Sequence, residues 1–202
     1  VMRKGNAGFS VFMAALLIAG SAFLWSCSRG CMGGKERPNI IIVIVDTLPA
    51  GHVSSYGYPR STTPNMDRVA KDGIRFEHAI AAAPWTLPSI ASILTGVLPS
   101  RHLAGWHLDP PTMEDRRLSR MRPEIVTLAE LCRDRGYNTV GFFNNPFVPP
   151  GYGLDKGFDT YDYVEGDNLR LRRAGQVTQD AIRWLELNGD DPFFMVVHYF
   201  DP

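Results

Sequence analysis

The stretch NIIIVIVD, residues 39–46, decides the fold class. It is a continuous run of mostly β-branched apolar residues, and it ends in the carboxylate of Asp46. A strand that is apolar on both faces is typical of the interior of a parallel sheet, where helices cover both sides. The run therefore predicts a central strand, and it places Asp46 at the carboxyl end of that strand, where open α/β sheets bind their ligands.

Helix and strand patterns alternate along the rest of the chain. Apolar residues at helical spacing predict helices, and alternating or continuous apolar runs predict strands. Helices are expected over residues 62–73, with Thr63 as N-cap, and over residues 88–96, 123–136 and 174–188. Strands are expected over residues 39–46, 74–83, 137–144 and 192–200. Residues 97–122 and 145–163 are expected to be irregular. This alternation predicts an α/β fold with a mostly parallel central sheet flanked by helices. Because a parallel sheet seldom ends its domain directly after a core strand, we expect a domain that is incomplete at its C-terminus.

The first 27 residues have the pattern of an export leader. Arg3 and Lys4 are followed by the uncharged run from Phe9 to Trp25, and a basic start before an apolar run of this length is typical of a secretory signal. The sequence LWSC, which ends at Cys27, is similar to a bacterial lipoprotein box in which the cysteine is lipidated; an ordinary signal and a retained anchor are the alternatives. Each alternative predicts export, either to the periplasm or outer membrane of a bacterial envelope or to the medium.

The net charge and the cysteine spacing give no reason to expect a nucleic-acid partner or a cysteine-bound metal. Lys and Arg together number 21, as do Asp and Glu, so the net charge gives no reason to expect a nucleic-acid partner. The cysteine spacing is not of a metal-binding type, and Cys132 lies on the apolar face of a predicted helix, which predicts a small buried side chain. We expect a leader over residues 1–27, a Gly-rich tether over 28–37 and one folded domain over 38–202.

A second stretch, APWTLPSIASILTG at residues 83–96, places Thr86 between a predicted strand and a predicted helix. Helix N-termini carry free N–H groups and a partial positive charge, and they bind sulfate and phosphate groups. A hydroxyl there can serve as an N-cap, the common use of threonine at that position, or as a nucleophile if a metal or a base lowers its pKa. Asp46 is a candidate ligand for a hard divalent cation. Both uses of Thr86 stay open, and one side chain can serve for both.

Several motifs, in their order along the chain, resemble the N-terminal part of the sulfatase family, within the alkaline-phosphatase-like superfamily. They begin with RPNIIIVIVDTL at 37–48, continue through TTPNMDRVAKDGIRFEHAIAAAPWTLPSIASILTGVLPSRH at 62–102 and GYNTVGFF at 136–143, and end in PFFMVVHYFDP at 192–202. The resemblance implies that residues 38–202 are the N-terminal part of a sulfatase-like catalytic domain. It also implies an exported, metal-dependent hydrolase of sulfuric or related esters.

The resemblance assigns Thr86 to the nucleophile position and Asp46 to the first metal ligand, with Thr47 as a further candidate ligand. In the family, the nucleophile is a Cys or Ser that is converted to formylglycine. Threonine is not a substrate for that conversion, so formylglycine is not expected and Thr86 has to act through its own hydroxyl. The resemblance implies one divalent ion, Ca²⁺ first and Mg²⁺, Mn²⁺ or Zn²⁺ as alternatives, whose remaining ligands come from the C-terminal half of the family domain.

Other positions matching the family motifs are of two kinds. Ile90 replaces the Arg of the nucleophile motif, which removes a bidentate anion donor, and the family's basic residue after the strand GYNTVGFF falls near Asn144 and Asn145. His102 and His198 fall where relatives carry site residues, so they are candidate catalytic side chains. For both, a histidine with a purely structural role is the alternative.

Three functions are compatible with these residues. The first is hydrolysis of a small-molecule or glycan sulfate or phosphate ester by an exported sulfatase-family enzyme. The second is a phosphodiesterase or phosphotransferase that uses Thr86 directly. The third is a truncated, non-catalytic envelope lipoprotein, which the replacement of the motif Arg by Ile90 favours. In each case we expect membrane contact only through the leader or a lipid anchor.

Overall fold

The computed structural model of this chain describes residues 37–105, 119–164 and 172–200. The predictions for the leader, for Cys27 and for most of the tether lie outside these residues. The strands are β1 (Ile40–Val45), β2 (Asn138–Phe143), β3 (Thr160–Tyr163) and β4 (Phe193–Tyr199); the helices are α1 (Pro64–Asp72), α2 (Thr86–Thr95), α3 (Pro99–His102), α4 (Leu128–Arg133) and α5 (Ala174–Asn188). Among the described residues, no helix is long and apolar enough to cross a membrane.

The four strands form one parallel sheet in the order β1-β4-β2-β3. In this order β4, the last strand of the chain, lies between β1 and β2. Ile44 on β1 is opposite His198 on β4, and Phe142 on β2 is opposite Val197. The carboxyl ends of β1, β4 and β2 therefore meet at one edge of the sheet, so the residues that follow β1 and β2 are close in space. The parallel α/β class predicted from the sequence is confirmed.

Helices pack on both faces of the sheet. On one face, α2 and α4 bury the first cluster of apolar side chains, which includes Leu87, Leu94, Ala129, Phe143 and Phe194. On the other face, α5 buries a second cluster: Val140, Phe142, Val177, Ala181, Phe193, Met195 and Val197. Side chains alternate between the faces of a strand, so successive residues of β4 feed the two clusters in turn. Cys132 belongs to the first cluster as a small buried side chain, as predicted.

The structure corrects four predictions about local structure. Residues 74–83 form no strand, although their sequence alternates, and they are almost entirely exposed. β3 lies within the segment predicted as irregular, where it pairs with β2. The short helix α3 lies within the other irregular segment. Thr63 precedes α1 but does not cap it; its hydroxyl instead accepts a hydrogen bond from the N–H of Ser54 at 3.0 Å.

β1 occupies a different place from the one its composition predicts. It pairs only with β4 and forms an edge of the described sheet. Ile41 and Val43 are 50% and 56% exposed, respectively, although a run apolar on both faces is typical of a central strand. Its inward-facing residues Ile40, Ile42 and Ile44 pack against the first cluster.

Candidate active site

Asp46 directly follows β1 at the carboxyl edge of the sheet. Its backbone N–H donates to the carbonyl oxygen of Tyr199 at 2.9 Å, which ties the end of β1 to the end of β4. The next residue, Thr47, turns the chain away with a φ of 57°. That left-handed conformation is uncommon for a residue other than glycine, and it leaves the Thr47 side chain exposed. Asp46 is therefore held by backbone pairing, while its carboxylate is available to other groups.

Thr86 is the first residue of α2, and its hydroxyl donates to Oδ2 of Asp46 at 3.0 Å. The N-cap position belongs to the extended residue Trp85, whose side chain makes no capping hydrogen bond. An N-cap hydroxyl accepts a hydrogen bond from the second or third helical N–H, but Thr86 lies one position too far along, and the third helical residue, Pro88, has no N–H. The capping prediction for Thr86 is therefore wrong, and its hydroxyl is committed to Asp46.

Asn145 completes a triangle with these two side chains. It follows β2 and is almost fully buried, and its Nδ2 lies 2.7 Å from Oδ2 of Asp46 and 3.4 Å from Oγ1 of Thr86. Its Oδ1 accepts a hydrogen bond from the N–H of Phe147 at 2.8 Å. The family motifs predict only a missing basic residue in this region. The position that follows a strand, at the edge shared with Asp46, was the signal that could have assigned Asn145 to the site.

His198 lies on β4 beneath the same carboxylate. The side chain is fully buried, with Nε2 3.4 Å from Oδ2 of Asp46 and its ring nearly parallel to that of Phe143 at a centroid distance of 6.1 Å. Burial lowers the pKa of His198, and the nearby negative charge of Asp46 offsets part of that effect. The net lowering of its pKa favours a neutral imidazole near neutral pH. Three groups thus converge on Oδ2, while Oδ1 has no hydrogen-bond partner among the described residues.

His102 lies away from this cluster. Its Nε2 is 3.0 Å from Oγ of Ser92, and its Nδ1 accepts a hydrogen bond from the N–H of Ala104 at 3.0 Å. Because Nδ1 is an acceptor, the proton of the neutral ring is on Nε2. Burial lowers the pKa of His102, and a hydrogen bond with the backbone of Pro88 opposes that shift. The structure therefore places His102 as a connection between α2 and the loop after α3, with no hydrogen bond to Asp46 or Thr86.

A protein-family model identifies the family of this chain. The family model Sulfatase matches residues 38–202. The chain belongs to the sulfatase family. Bovine arylsulfatase A is 33% identical over 144 residues, which cover 66% of this chain and 28% of that protein. Human steryl-sulfatase is 34% identical over 119 residues, which cover 58% of this chain and 20% of that protein.

Solved structures extend the likeness to the fold. The structure of BT4656 with its substrate D-glucosamine-2-N,6-O-disulfate has a TM-score of 0.65 at 25% identity, covering 81% of this chain and 34% of that chain. This sulfatase-family chain therefore spans about a third of that structure and about a quarter of the curated relatives it matches.

The family's metal gives a test of the residues at this edge. Among the described residues, no group of three or more His, Cys, Asp or Glu side chains could hold a metal ion. Asp46 offers a carboxylate and Thr86 a hydroxyl, whereas the amide oxygen of Asn145 is used by a backbone N–H. Ca²⁺ takes about six to eight oxygen ligands. These residues are the kind that bind a hard cation, but they do not complete a shell by themselves.

The position of the family's motif arginine has a different role here. Ile90 is buried in the first apolar cluster, one turn after Thr86 on α2. An isoleucine there stabilises the packing of α2 on the sheet and offers no donor to an anion. The N-terminus of α2, with the free N–H groups of its first turn, is a feature beside Thr86 that favours a bound anion.

Proposed function

We propose that this domain belongs to an exported enzyme that hydrolyses sulfuric esters, with Thr86 as the nucleophile. One observation carries the proposal: in a domain of the sulfatase family, the hydroxyl at the nucleophile position donates a hydrogen bond to the carboxylate that follows β1. That carboxylate oxygen is at the distance a proton acceptor needs. The substrate class is a small-molecule or glycan ester, as in the structural neighbour with a bound disulfated glucosamine.

The proposed hydrolysis takes place in two steps, transfer of the sulfuryl group to Thr86 and its release by water. The hydroxyl proton of Thr86 passes to Oδ2 of Asp46 while Oγ1 forms a bond to sulfur, and the S–O bond to the alcohol breaks as Asp46 returns the proton to the leaving oxygen. Water then attacks sulfur and gives a proton to Asp46, the bond between sulfur and Oγ1 breaks, and Asp46 returns the proton to Oγ1, which restores the Thr86 hydroxyl and releases hydrogen sulfate. The first N–H groups of α2 and the positive end of its dipole stabilise the sulfuryl oxygens.

A divalent cation is part of the proposal, with Ca²⁺ as the first choice. Asp46 would contribute its free Oδ1 to that cation, and further ligands would come from outside the described residues. When bound, such a cation polarises the ester oxygen and favours ionisation of the hydroxyl.

Transfer or hydrolysis of phosphate esters is the second candidate function. It is favoured by Thr86 itself, since an unmodified hydroxyl can attack phosphorus directly, and the hydrogen bond to Asp46 orients this hydroxyl. The same two steps apply, with phosphorus in place of sulfur. The products of the reaction distinguish the two candidates.

The experiment compares purified protein with two threonine variants on 4-nitrophenyl sulfate and 4-nitrophenyl phosphate. Thr86→Ala removes the nucleophile. Thr95→Ala is the matched control, since Thr95 ends the same helix and its hydroxyl donates to the carbonyl oxygen of Ala91. We expect Thr95→Ala to retain activity and Thr86→Ala to lose it. Equal rates in wild type and Thr86→Ala exclude the nucleophilic role, and inactivity of wild type on both esters, with and without Ca²⁺, favours a non-catalytic lipoprotein.

Export is proposed from the N-terminal sequence alone. The basic start, the apolar run and Cys27 are its support. Cell fractionation and intact mass of the mature protein test it: lipidation adds acyl mass at Cys27, which Cys27→Ala abolishes. Recovery of the unprocessed chain in the cytoplasmic fraction contradicts export.

A further inference from the structure

We infer that Asn145 is a positioning residue for the reaction, since it fixes the hydroxyl of Thr86 against the carboxylate of Asp46. The inference rests on the proposed function and extends it to a residue that the sequence motifs do not assign. Asn145 lies 99 residues after Asp46 and 59 after Thr86, yet its amide nitrogen is within 3.4 Å of a polar atom of each.

The orientation of the Asn145 amide is fixed by its surroundings. Nδ2 carries two protons, and the two acceptors nearest to it are Oδ2 of Asp46 and Oγ1 of Thr86. Oδ1 is occupied by the backbone N–H of Phe147 at 2.8 Å. A flipped amide would place an oxygen 2.7 Å from a carboxylate and an N–H₂ group against a backbone N–H, and both contacts are repulsive. The donor side of Asn145 therefore faces the two reacting groups.

This arrangement constrains the hydroxyl of Thr86 in a way that matters for attack. Its proton is directed to Asp46, and one of its two lone pairs faces the N–H of Asn145. The other lone pair is then the one that faces a substrate. Without Asn145, the carboxylate of Asp46 loses its shortest hydrogen bond and the hydroxyl loses one of its two neighbours, so both side chains gain rotational freedom.

The turn that carries Asn145 is tied to neighbouring elements by hydrogen bonds around Arg172. Phe143, two residues earlier, accepts a hydrogen bond through its carbonyl oxygen from Nη2 of Arg172 at 3.2 Å. The guanidinium is only 10% exposed, and its Nη1 lies 2.9 Å from Asp162 and 3.1 Å from Asp180. Asn144 adds a hydrogen bond from its amide to the carbonyl oxygen of Arg172. A mostly buried guanidinium that pairs with two carboxylates thus holds the end of β2, and with it the position of the Asn145 side chain.

The first test measures kcat and KM on 4-nitrophenyl sulfate for Asn145→Ala and Asn145→Asp. The control is Asn188→Ala, because Asn188 donates to the carbonyl oxygen of Trp184 at the end of α5, away from the site. We expect Asn145→Ala to lower kcat about tenfold to a hundredfold with little change in KM, as for a misplaced reacting group. Asn145→Asp keeps the shape but sets a second carboxylate against Asp46, so its kcat should recover as pH falls, which wild type and the control do not show. An unchanged kcat in both Asn145 variants overturns the inference.

The second test does not depend on turnover. The methyl resonance of Thr86 in ¹³C–¹H spectra reports the surroundings of its side chain; we expect it to shift in both Asn145 variants and to stay in place in Asn188→Ala. If wild type hydrolyses neither ester, the proposed function fails while this readout still decides the placement of Asn145. A Thr86 methyl resonance that does not move overturns the inference. If Asn145→Ala does not fold, as judged by circular dichroism, the isosteric Asn145→Asp decides alone.

Discussion

Phe143→Ala is the sharpest test of how the core supports the site. Phe143 is the last residue of β2 and is fully buried; its ring stacks on Tyr161 at a centroid distance of 4.6 Å and meets the edge of Phe158 at 6.0 Å. Removing a buried phenylalanine side chain costs about 3–5 kcal/mol. Aromatic pairs add about 0.5–1.5 kcal/mol each beyond their buried area. Because the Phe→Ala range already contains lost contacts of this kind, two ring contacts place Phe143→Ala at its upper end: we expect the free energy of unfolding to fall by about 4–5 kcal/mol. That is much of the total for a typical domain, about 5–15 kcal/mol.

The assay is urea denaturation followed by tryptophan fluorescence, with Phe147→Ala as the control. Phe147 is a few residues further along; among the described residues it has one aromatic contact, an edge contact with Trp85 at 6.1 Å, and it is 48% exposed. Its loss should cost about 1 kcal/mol. Burial and ring contacts, rather than residue type, are the reason for the expected difference between the two variants. Equal losses in the two variants, or a loss below about 2 kcal/mol for Phe143→Ala, would refute it.

Three further perturbations have defined outcomes. Gly157→Ala should lower the free energy of unfolding by about 3 kcal/mol or more, because φ is 86° and a Cβ would lie 2.1 Å from the backbone nitrogen of Glu130. Gly151→Ala is the control: φ is 92° but the space around a Cβ is open, so the loss should be about 1–2 kcal/mol. Chemical denaturation measures both losses. Thr127→Ala removes the capping box of α4, and we expect a loss of about 1–2 kcal/mol by the same assay. Burial lowers the pKa of His102, so acid favours the unfolded chain; melting temperatures should fall as pH drops below about 6.5, less steeply in His102→Gln.

The elements with strong local patterns were predictable from the sequence. α5 ends at Asn188 as predicted, because its apolar residues recur at helical spacing and Gly189 follows. β2 and β4 are found where short apolar runs predicted strands. Their parallel pairing follows from the helices between them, since a crossover connection returns the chain to the same edge.

The predictions that were wrong concern segments whose structure depends on pairing with distant parts of the chain. Residues 74–83 alternate like a strand, but a strand needs a neighbour to satisfy its N–H and C=O groups, and none of the described strands pairs with this segment. β3 is only Thr160–Tyr163, inside a segment rich in Pro and Gly, and it exists because β2 offers it a free edge. Composition gives no direct measure of whether such an edge is available.

The residues of the candidate site also come together through strand order, which the sequence alone does not predict. Sequence placed Asp46 at a strand end and Thr86 at a helix start, but only the order β1-β4-β2 brings Asn145 to both. Two strands separated by a third lie roughly 10 Å apart, so an aspartate and an asparagine that extend toward each other can meet, as the 2.7 Å contact shows. His198, on the strand between them, lies beneath that contact. A side chain shorter than asparagine at position 145 could not span the gap, and for that reason the size of this residue, as much as its polarity, is what the site requires.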